Sequence, residues 1–260
     1  MKRLLSTLFL FTFMVSCDNQ PQEEFKLESS SERLISNEEI EKIGSLHNKF
    51  LTEAFSIYDF SNLDRKQELY SSFSTIESNI DFNNGTKSSI ESYNKSIECD
   101  LNCIKSFMND DEAFQFIERV NELELDGQIQ NLEDLNIIIE EIKIAAQINI
   151  SNGKNLDVIL LYLEVFKNSA DFWFPEEFGG SGDGYKIVTK IKGNNSKSAL
   201  EYTKEISKGG KVLAADATGA AGALIGGALF ANADAVIAPP VFFGRVAFAS
   251  AWSSGVAALM

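Results

Sequence analysis

Residues 132–150, LEDLNIIIEEIKIAAQINI, decide the fold class of this chain. Apolar side chains recur there at the three- and four-residue spacing of a helix face, at Leu135, Ile138, Ile139, Ile142, Ala145 and Ala146. Ile137, Ile144 and Ile148 fall outside that face, so we expect the helix to be buried on more than one side. The segment therefore predicts a long core helix.

The same periodicity predicts helices on both sides of this stretch. Ser36 is expected to cap a helix that ends near Asp59, with Glu39 completing a capping box. Further helices are predicted at residues 64–78, 87–100, 104–123, 155–173 (capped by Asn155) and 198–208, with 185–191 as helix or strand. Because no strand-like alternation is visible, the fold class is predicted to be an all-α helical bundle.

The N-terminus has the features of an export signal. Lys2 and Arg3 precede an apolar run from Leu4 to Val15 that is too short to span a bilayer. Met14-Val15-Ser16-Cys17 resembles the lipobox of bacterial lipoproteins, in which the cysteine is acylated and becomes the new N-terminus. Lipidation of Cys17 is the favoured interpretation; a leader cleaved without lipidation, or one that is never cut, are the alternatives.

Four regions follow from composition. Residues 1–17 are a lipoprotein signal peptide, 18–35 a polar flexible tether, 36–210 the helical bundle and 211–260 an apolar tail. Loss of Lys2 and Arg3 with the leader would take the formal charge from −15 to −17. Such an acidic chain repels phosphate backbones, so nucleic-acid binding is excluded as a function.

The tail combines small residues at helical spacing with an abrupt rise in Ala and Gly content. The positions expected to admit a second helix closely, as in a glycine zipper, are Ala215, Gly219, Gly222, Ala223, Gly226, Gly227 and Ala231. Two interpretations stay open. The tail is either a membrane-inserting helical hairpin or a close-packed hairpin against the bundle or another copy. Asp216, Asp234 and Arg245 would each be costly near the centre of a bilayer.

Few residues suggest chemistry. His47 is the only histidine and falls on the apolar face of its helix, where a buried structural role is favoured over that of a catalytic base. Cys99 and Cys103 form either a local disulfide after export or two small buried side chains. No spacing indicates a metal site, a cofactor site or a catalytic nucleophile, so the chain is predicted not to be an enzyme.

Three segments together resemble an uncharacterised group of bacterial secreted or lipoprotein-type proteins. Residues 43–48, IGSLHN, resemble its G-x-x-HN helix; 168–173, NSADFW, its S-x-x-Y/F-W motif; and 214–222, AADATGAAG, its entry into a glycine-zipper tail. Phe172 stands where Tyr is usual. The resemblance implies an architecture and no catalytic residues, and it singles out His47 and Asp216 as polar positions to test.

These observations predict a lipid-anchored, non-enzymatic protein of the bacterial cell envelope, in the inner or the outer membrane. Its expected partners are membrane lipid, through acylated Cys17 and through the tail if that inserts, and a second copy of the chain. The alternative is a secreted antibacterial or pore-forming, bacteriocin-like factor, because a Gly/Ala-rich amphiphilic tail also suits permeabilisation of a bilayer.

Overall fold

Every regular element in the described part of the chain is helical, so the predicted all-α bundle is confirmed. The computed structural model describes residues 33–62, 64–79, 100–123, 129, 131–192, 211–230 and 239–259. The helices are α1 (Asn37–Ile57), α2 (Arg65–Asn79), α3 (Leu101–Met108), α4 (Asp111–Asn121), α5 (Leu132–Asn149), α6 (Gly153–Trp173), α7 (Asp183–Lys192), α8 (Lys211–Phe230) and α9 (Pro239–Leu259), with a 3-10 turn at Glu176–Phe178.

Helix α6 is the centre of the bundle, because residues 158–163 in its middle are apolar around the whole circumference. Every residue from Asp157 to Leu163 is buried, and α1, α4, α5, α7 and α8 all pack against this helix. Phe172, Trp173 and Phe174 at its C-terminal end are buried too, so the aromatic cluster belongs to the core.

The tail helices α8 and α9 pack against each other and against α1 and α6, within one compact unit that covers residues 31–260. Phe248 and Trp252 of α9 contact the ring of Phe73 on α2 with centroid distances of 5.4 and 5.3 Å, and Phe50 of α1 lies 5.8 Å from Phe248. The tail therefore supplies core side chains to the bundle. Among the described residues, no helix has the length and apolar character needed to cross a membrane.

Helix α1 begins as the sequence predicts. Ser36 Oγ accepts a hydrogen bond from the backbone N–H of Glu39, and the Glu39 carboxylate accepts one from the backbone N–H of Ser36, which completes the capping box. The helix ends at Ile57 because Tyr58 adopts an extended backbone conformation.

Three local predictions were wrong. The helix expected over residues 104–123 is two helices, because Asn109 adopts a left-handed conformation (φ 46°) and Asp110 caps a new helix. Helix α6 is capped by Asn152 rather than Asn155, which is buried and donates to the carbonyl of Met108 over 3.1 Å. Ile137, Ile144 and Ile148, which lie outside the main apolar face of α5, are exposed rather than buried.

The ambiguous segment 185–191 lies within helix α7. Several predictions fall outside the described residues: the leader with Cys17, the tether up to residue 32, Cys99, the helix at 87–100 except Asp100, the helix at 198–208, Ala231 and Asp234. Asp100 caps the start of α3. Arg245 lies in α9.

Candidate functional site

Side chains from three distant segments meet in the middle of the bundle. His47 of α1, Ser169 of α6 and Asp216 of α8 have no solvent-exposed surface. Each belongs to one of the three segments that carry the family resemblance, although 169 residues separate His47 from Asp216 along the chain. We call His47, Ser169, Trp173, Asp216 and Ser254 the polar cluster.

Asp216 is the centre of the polar cluster. The Ser169 hydroxyl donates a hydrogen bond to its Oδ2 atom, and Ser254 also hydrogen-bonds with the carboxyl group. Trp173 Nε1 donates to Ser254 Oγ over 3.0 Å, so the indole holds the hydroxyl in place. The backbone carbonyl of Asp216 accepts a further bond from Ser250 Oγ at 2.8 Å. These bonds join α6, α8 and α9.

His47 is oriented by its neighbour in the sequence. Its Nδ1 lies 2.8 Å from Asn48 Oδ1, and Asn48 Nδ2 donates to the carbonyl of Asn168 over 2.9 Å. Since that second bond turns the amide oxygen towards the ring, Nδ1 carries the proton and donates it. The other ring nitrogen, Nε2, then faces Asp216 Oδ2 at 3.3 Å.

A favourable contact between His47 Nε2 and the Asp216 carboxyl group requires a proton between them, in addition to the one on Nδ1. With Nδ1 protonated, a neutral ring would present the Nε2 lone pair to the carboxylate, and the two would repel each other. The pair is therefore either an imidazolium with a carboxylate or an imidazole with a carboxylic acid. The 3.3 Å separation suits an ion pair, but its angles are not those of an aligned hydrogen bond. Burial raises the pKa of Asp216, and His47 lowers it by a smaller amount.

Tyr162 extends this network towards α4. Its hydroxyl donates to Asn121 Oδ1 over 2.8 Å and also hydrogen-bonds with Thr218, two residues after Asp216. Burial raises the pKa of Tyr162 to about 12, so the phenol stays neutral. The buried hydroxyl thus connects α6 to α4 and α8.

The order of groups in the polar cluster is unsuited to nucleophilic catalysis. In a Ser-His-Asp triad the imidazole lies between the hydroxyl and the carboxylate and removes the proton of the hydroxyl. Here Asp216 lies between Ser169 and His47, so the serine proton points at the carboxylate. All three side chains are also sealed from solvent. The arrangement can bind helices together and hold a proton.

A second buried carboxylate lies near the start of α6. Asp157 accepts hydrogen bonds from Arg33 Nε and from the backbone N–H groups of Leu34 and Ile35, the last at 3.2 Å. Burial raises the pKa of Asp157 by more than Arg33 and the two amides lower it, but every contact of the carboxylate is with a donor, so the geometry favours its ionised form. Asp157 thereby fixes residues 33–35 against the central helix, so the last three residues of the predicted tether 18–35 belong to the folded body.

The predicted tail positions have different surroundings. Gly219 lies where α8 meets α9, and a Cβ placed there would be 2.5 Å from Ser253 Oγ. Gly222 is buried, Ala215 and Ala223 are half-buried, and Gly226 and Gly227 lie in the last turns of α8. The buried face of α8 is wider than the stripe of every fourth residue and includes Leu213, Ala217, Ala220, Ala221 and Leu224.

Cys103 is disulfide-bonded and half-buried. Because Cys99 lies outside the described residues, the pairing with Cys99 stays a prediction. Among the described residues, no group of three or more histidine, cysteine or carboxylate side chains has the arrangement of a metal site.

Asp157, Tyr162 and Ser254 were missed at the sequence level. One signal could have found Asp157: it directly precedes residues 158–163, which are apolar all round, so it is expected to be buried, and a buried charge needs a partner. Ser254 carried no such signal, because serine is common on small-residue helix faces. Comparisons with known proteins add no further assignment, since no family model, curated protein or solved structure matches the chain.

Proposed function

We propose that this protein is a lipid-anchored, non-enzymatic protein of the bacterial cell envelope, held at the membrane by an acylated Cys17. The observation that carries the proposal is that the tail packs into the core of the bundle. Ser250 and Ser254 of α9 form hydrogen bonds inside the protein, and the apolar face of α8 is buried there. The lipid on Cys17 is then the membrane attachment, and residues 18–35 connect it to the body.

Two further observations support this assignment. The lipobox-like sequence Met14–Cys17 follows a short apolar leader, as expected for export and acylation. The side chains with catalytic potential, His47, Ser169 and Asp216, have no solvent access and bond to one another in a structural order. The convergence of the three resemblance segments on this cluster supports membership of the lipoprotein-type group.

Metabolic acyl labelling with carbonate extraction tests the anchor. Wild type is expected to incorporate the acyl label and to remain in the membrane fraction, whereas Cys17→Ala should lose both properties. Cys103→Ala is the matched control, because it removes a disulfide-bonded cysteine from the body and should keep the label. An unlabelled wild type contradicts the proposal. Retention of Cys17→Ala in the carbonate-washed membrane would show that the tail inserts by itself.

A second candidate function, permeabilisation of a bilayer, is favoured by one feature. Helices α8 and α9 form a pair rich in apolar side chains, and the polar cluster links this pair to α1 and α6. If release of the pair caused permeabilisation, Asp216→Ala should increase dye leakage from liposomes. Asp157→Ala, which loosens α6 from the segment before α1, should not. Equal leakage by both variants and wild type would exclude this function.

A further inference from the structure

The outer face of α5 carries an unexplained apolar stripe. Ile137 and Ile144 are each 54% exposed, and Ile148 is 77% exposed. Their spacing of seven and four residues places them on one side of the helix. Isolated exposed apolar residues are ordinary, but three large β-branched side chains on one side of a helix form an apolar stripe that a partner could cover.

This stripe borders a groove between α5 and the 3-10 turn. The groove has a volume of about 840 Å³, and Leu132, Ile137, Ile144 and Phe178 provide its apolar surface. Phe178 and Leu132 also pack against the core, so the floor of the groove is fixed by the fold. A groove of this size accommodates one side of a helix or a short peptide.

The rim of the groove is acidic. Glu133, Glu140, Glu141 and Glu177 line it. Glu140 has partners, since Lys143 Nζ lies 3.6 Å and Lys167 Nζ 3.8 Å from its Oε1. Within the described part of the chain, the other three glutamates form no ion pair. An acidic rim around an apolar floor is complementary to a ligand with an apolar face and basic flanks.

We propose that this groove, lined by Ile137, Ile144 and Phe178 and rimmed by Glu133, Glu141 and Glu177, binds a basic amphipathic helix of a partner protein. Apolar residues of the ligand, at helical spacing, would cover the isoleucines, and its lysines or arginines would face the glutamates. A second copy of this acidic chain is a poor occupant, because the two rims would repel each other. Binding at this groove does not depend on lipidation of Cys17, because the groove is formed by α5 and the 3-10 turn.

The test uses the mature full-length protein and synthetic peptides. The probe is a helical peptide as long as α5, 18 residues, with leucine on one face and lysine on the other. A second peptide keeps the leucines and replaces each lysine with glutamate. Binding is followed by fluorescence anisotropy at low and high salt. The lysine peptide is expected to bind, more weakly at high salt, and the glutamate peptide is not.

Two sets of variants locate the site. Ile137→Ser with Ile144→Ser is expected to weaken binding of the lysine peptide by roughly tenfold or more. The control Ile57→Ser removes another exposed isoleucine, 48% exposed on α1, and should bind like wild type. Glu133→Gln, Glu141→Gln and Glu177→Gln together should weaken binding. Glu41→Gln, Glu118→Gln and Glu122→Gln make the same charge change at exposed positions outside the groove and should have less effect.

Circular dichroism confirms that each variant is folded, which is expected because the altered side chains are exposed. Equal affinity of the groove variants and their controls would overturn the proposal, as would equal binding of the two peptides. Self-association in sedimentation velocity that disappears in the Ile137→Ser, Ile144→Ser variant would assign the groove to a second copy instead. Binding to phosphatidylcholine vesicles that the same variant abolishes would assign it to lipid, and either result overturns the proposal.

Discussion

Asp157 and Asp216 are both buried in the same bundle, but their partners differ in kind. Asp157 faces donors only: the Arg33 guanidinium and the backbone N–H groups of Leu34 and Ile35. Asp216 faces two hydroxyl groups and a histidine whose Nε2 offers either a proton or a lone pair. Asp157 therefore suits a fixed negative charge, whereas Asp216 suits a shared proton.

The two carboxylates also differ in how much of the bundle they hold together. Asp157 fixes one local entry segment to α6, and its partner Arg33 keeps 34% of its side chain exposed. Asp216 connects α1, α6 and α9 through α8, with its histidine wholly inside the protein. Loss of Asp157 should loosen one end of the bundle, while loss of Asp216 should affect the packing of the whole tail.

The largest effect is expected from Asp216→Ala. It leaves His47 and Ser169 without their shared partner in a place that water does not reach, which should lower the free energy of unfolding by about 4 kcal/mol. Asp157→Ala is the matched control and should cost about 2 kcal/mol, because Arg33 can turn to solvent. Urea unfolding followed by circular dichroism measures both. A larger loss from Asp157→Ala would reverse the comparison.

Replacement by asparagine should invert the order of the two stability losses, with the larger loss now at position 157. Asparagine at 216 resembles the protonated acid. With its amide nitrogen in place of Oδ2 it can donate one hydrogen to His47 Nε2 and the other to Ser169 Oγ, so Asp216→Asn should cost less than about 1 kcal/mol. At 157 the new amide group would face donors, and Asp157→Asn should cost about 2 kcal/mol. The same unfolding experiment gives both values. Equal losses would mean that Asp216 acts as a fixed charge.

The close approach of α8 and α9 is tested by Gly219→Ala. The added methyl would lie 2.5 Å from Ser253 Oγ and 3.0 Å from its Cβ, so we expect a loss of about 2 kcal/mol from overpacking. Gly255→Ala is the control: its nearest neighbours are the Leu69 methyls at 3.2 Å, which can shift, and it should cost about 1 kcal/mol or less. Adding Ser253→Ala to Gly219→Ala should recover part of the loss in thermal unfolding.

How far the sequence predicts this molecule depends on whether a signal is local. The capping box at Ser36 and the periodicity of α5 are local, and both elements form where expected. His47 was expected to be a buried structural histidine because it falls on an apolar helix face, and it is fully buried. Its contact with Asp216 could not be predicted from the sequence, because periodicity indicates which face of a helix is buried but not which residues meet there.

Where the sequence misled, a second physical effect outweighed periodicity. Apolar spacing runs through residues 104–123, but the Asn109 backbone and the Asp110 cap divide the stretch into two helices. Ile137, Ile144 and Ile148 indicated burial on a second side, yet each is more than half exposed. An apolar pattern identifies surface that gains from being covered, whether by the same chain or by a partner.

The smallest expected effect is on the pH dependence of stability. Its sign tests whether Asp216 holds a proton in the folded protein. The pKa of Asp216 is raised from an ordinary value of 3.8, so the folded protein keeps the proton to higher pH than the unfolded chain. The stabilisation is complete below the unfolded pKa and is lost as pH rises through the folded one. Tyr162, with a pKa of about 12, does not titrate in that range.

Wild type should therefore lose stability relative to Asp216→Asn as pH rises from about 4, with a plateau above the folded pKa. Urea unfolding of wild type and Asp216→Asn across this pH range measures the difference. A wild type that instead gains stability over Asp216→Asn as pH rises would mean that the folded protein favours the ionised carboxylate, and the shared proton between α1 and α8 would have to be abandoned.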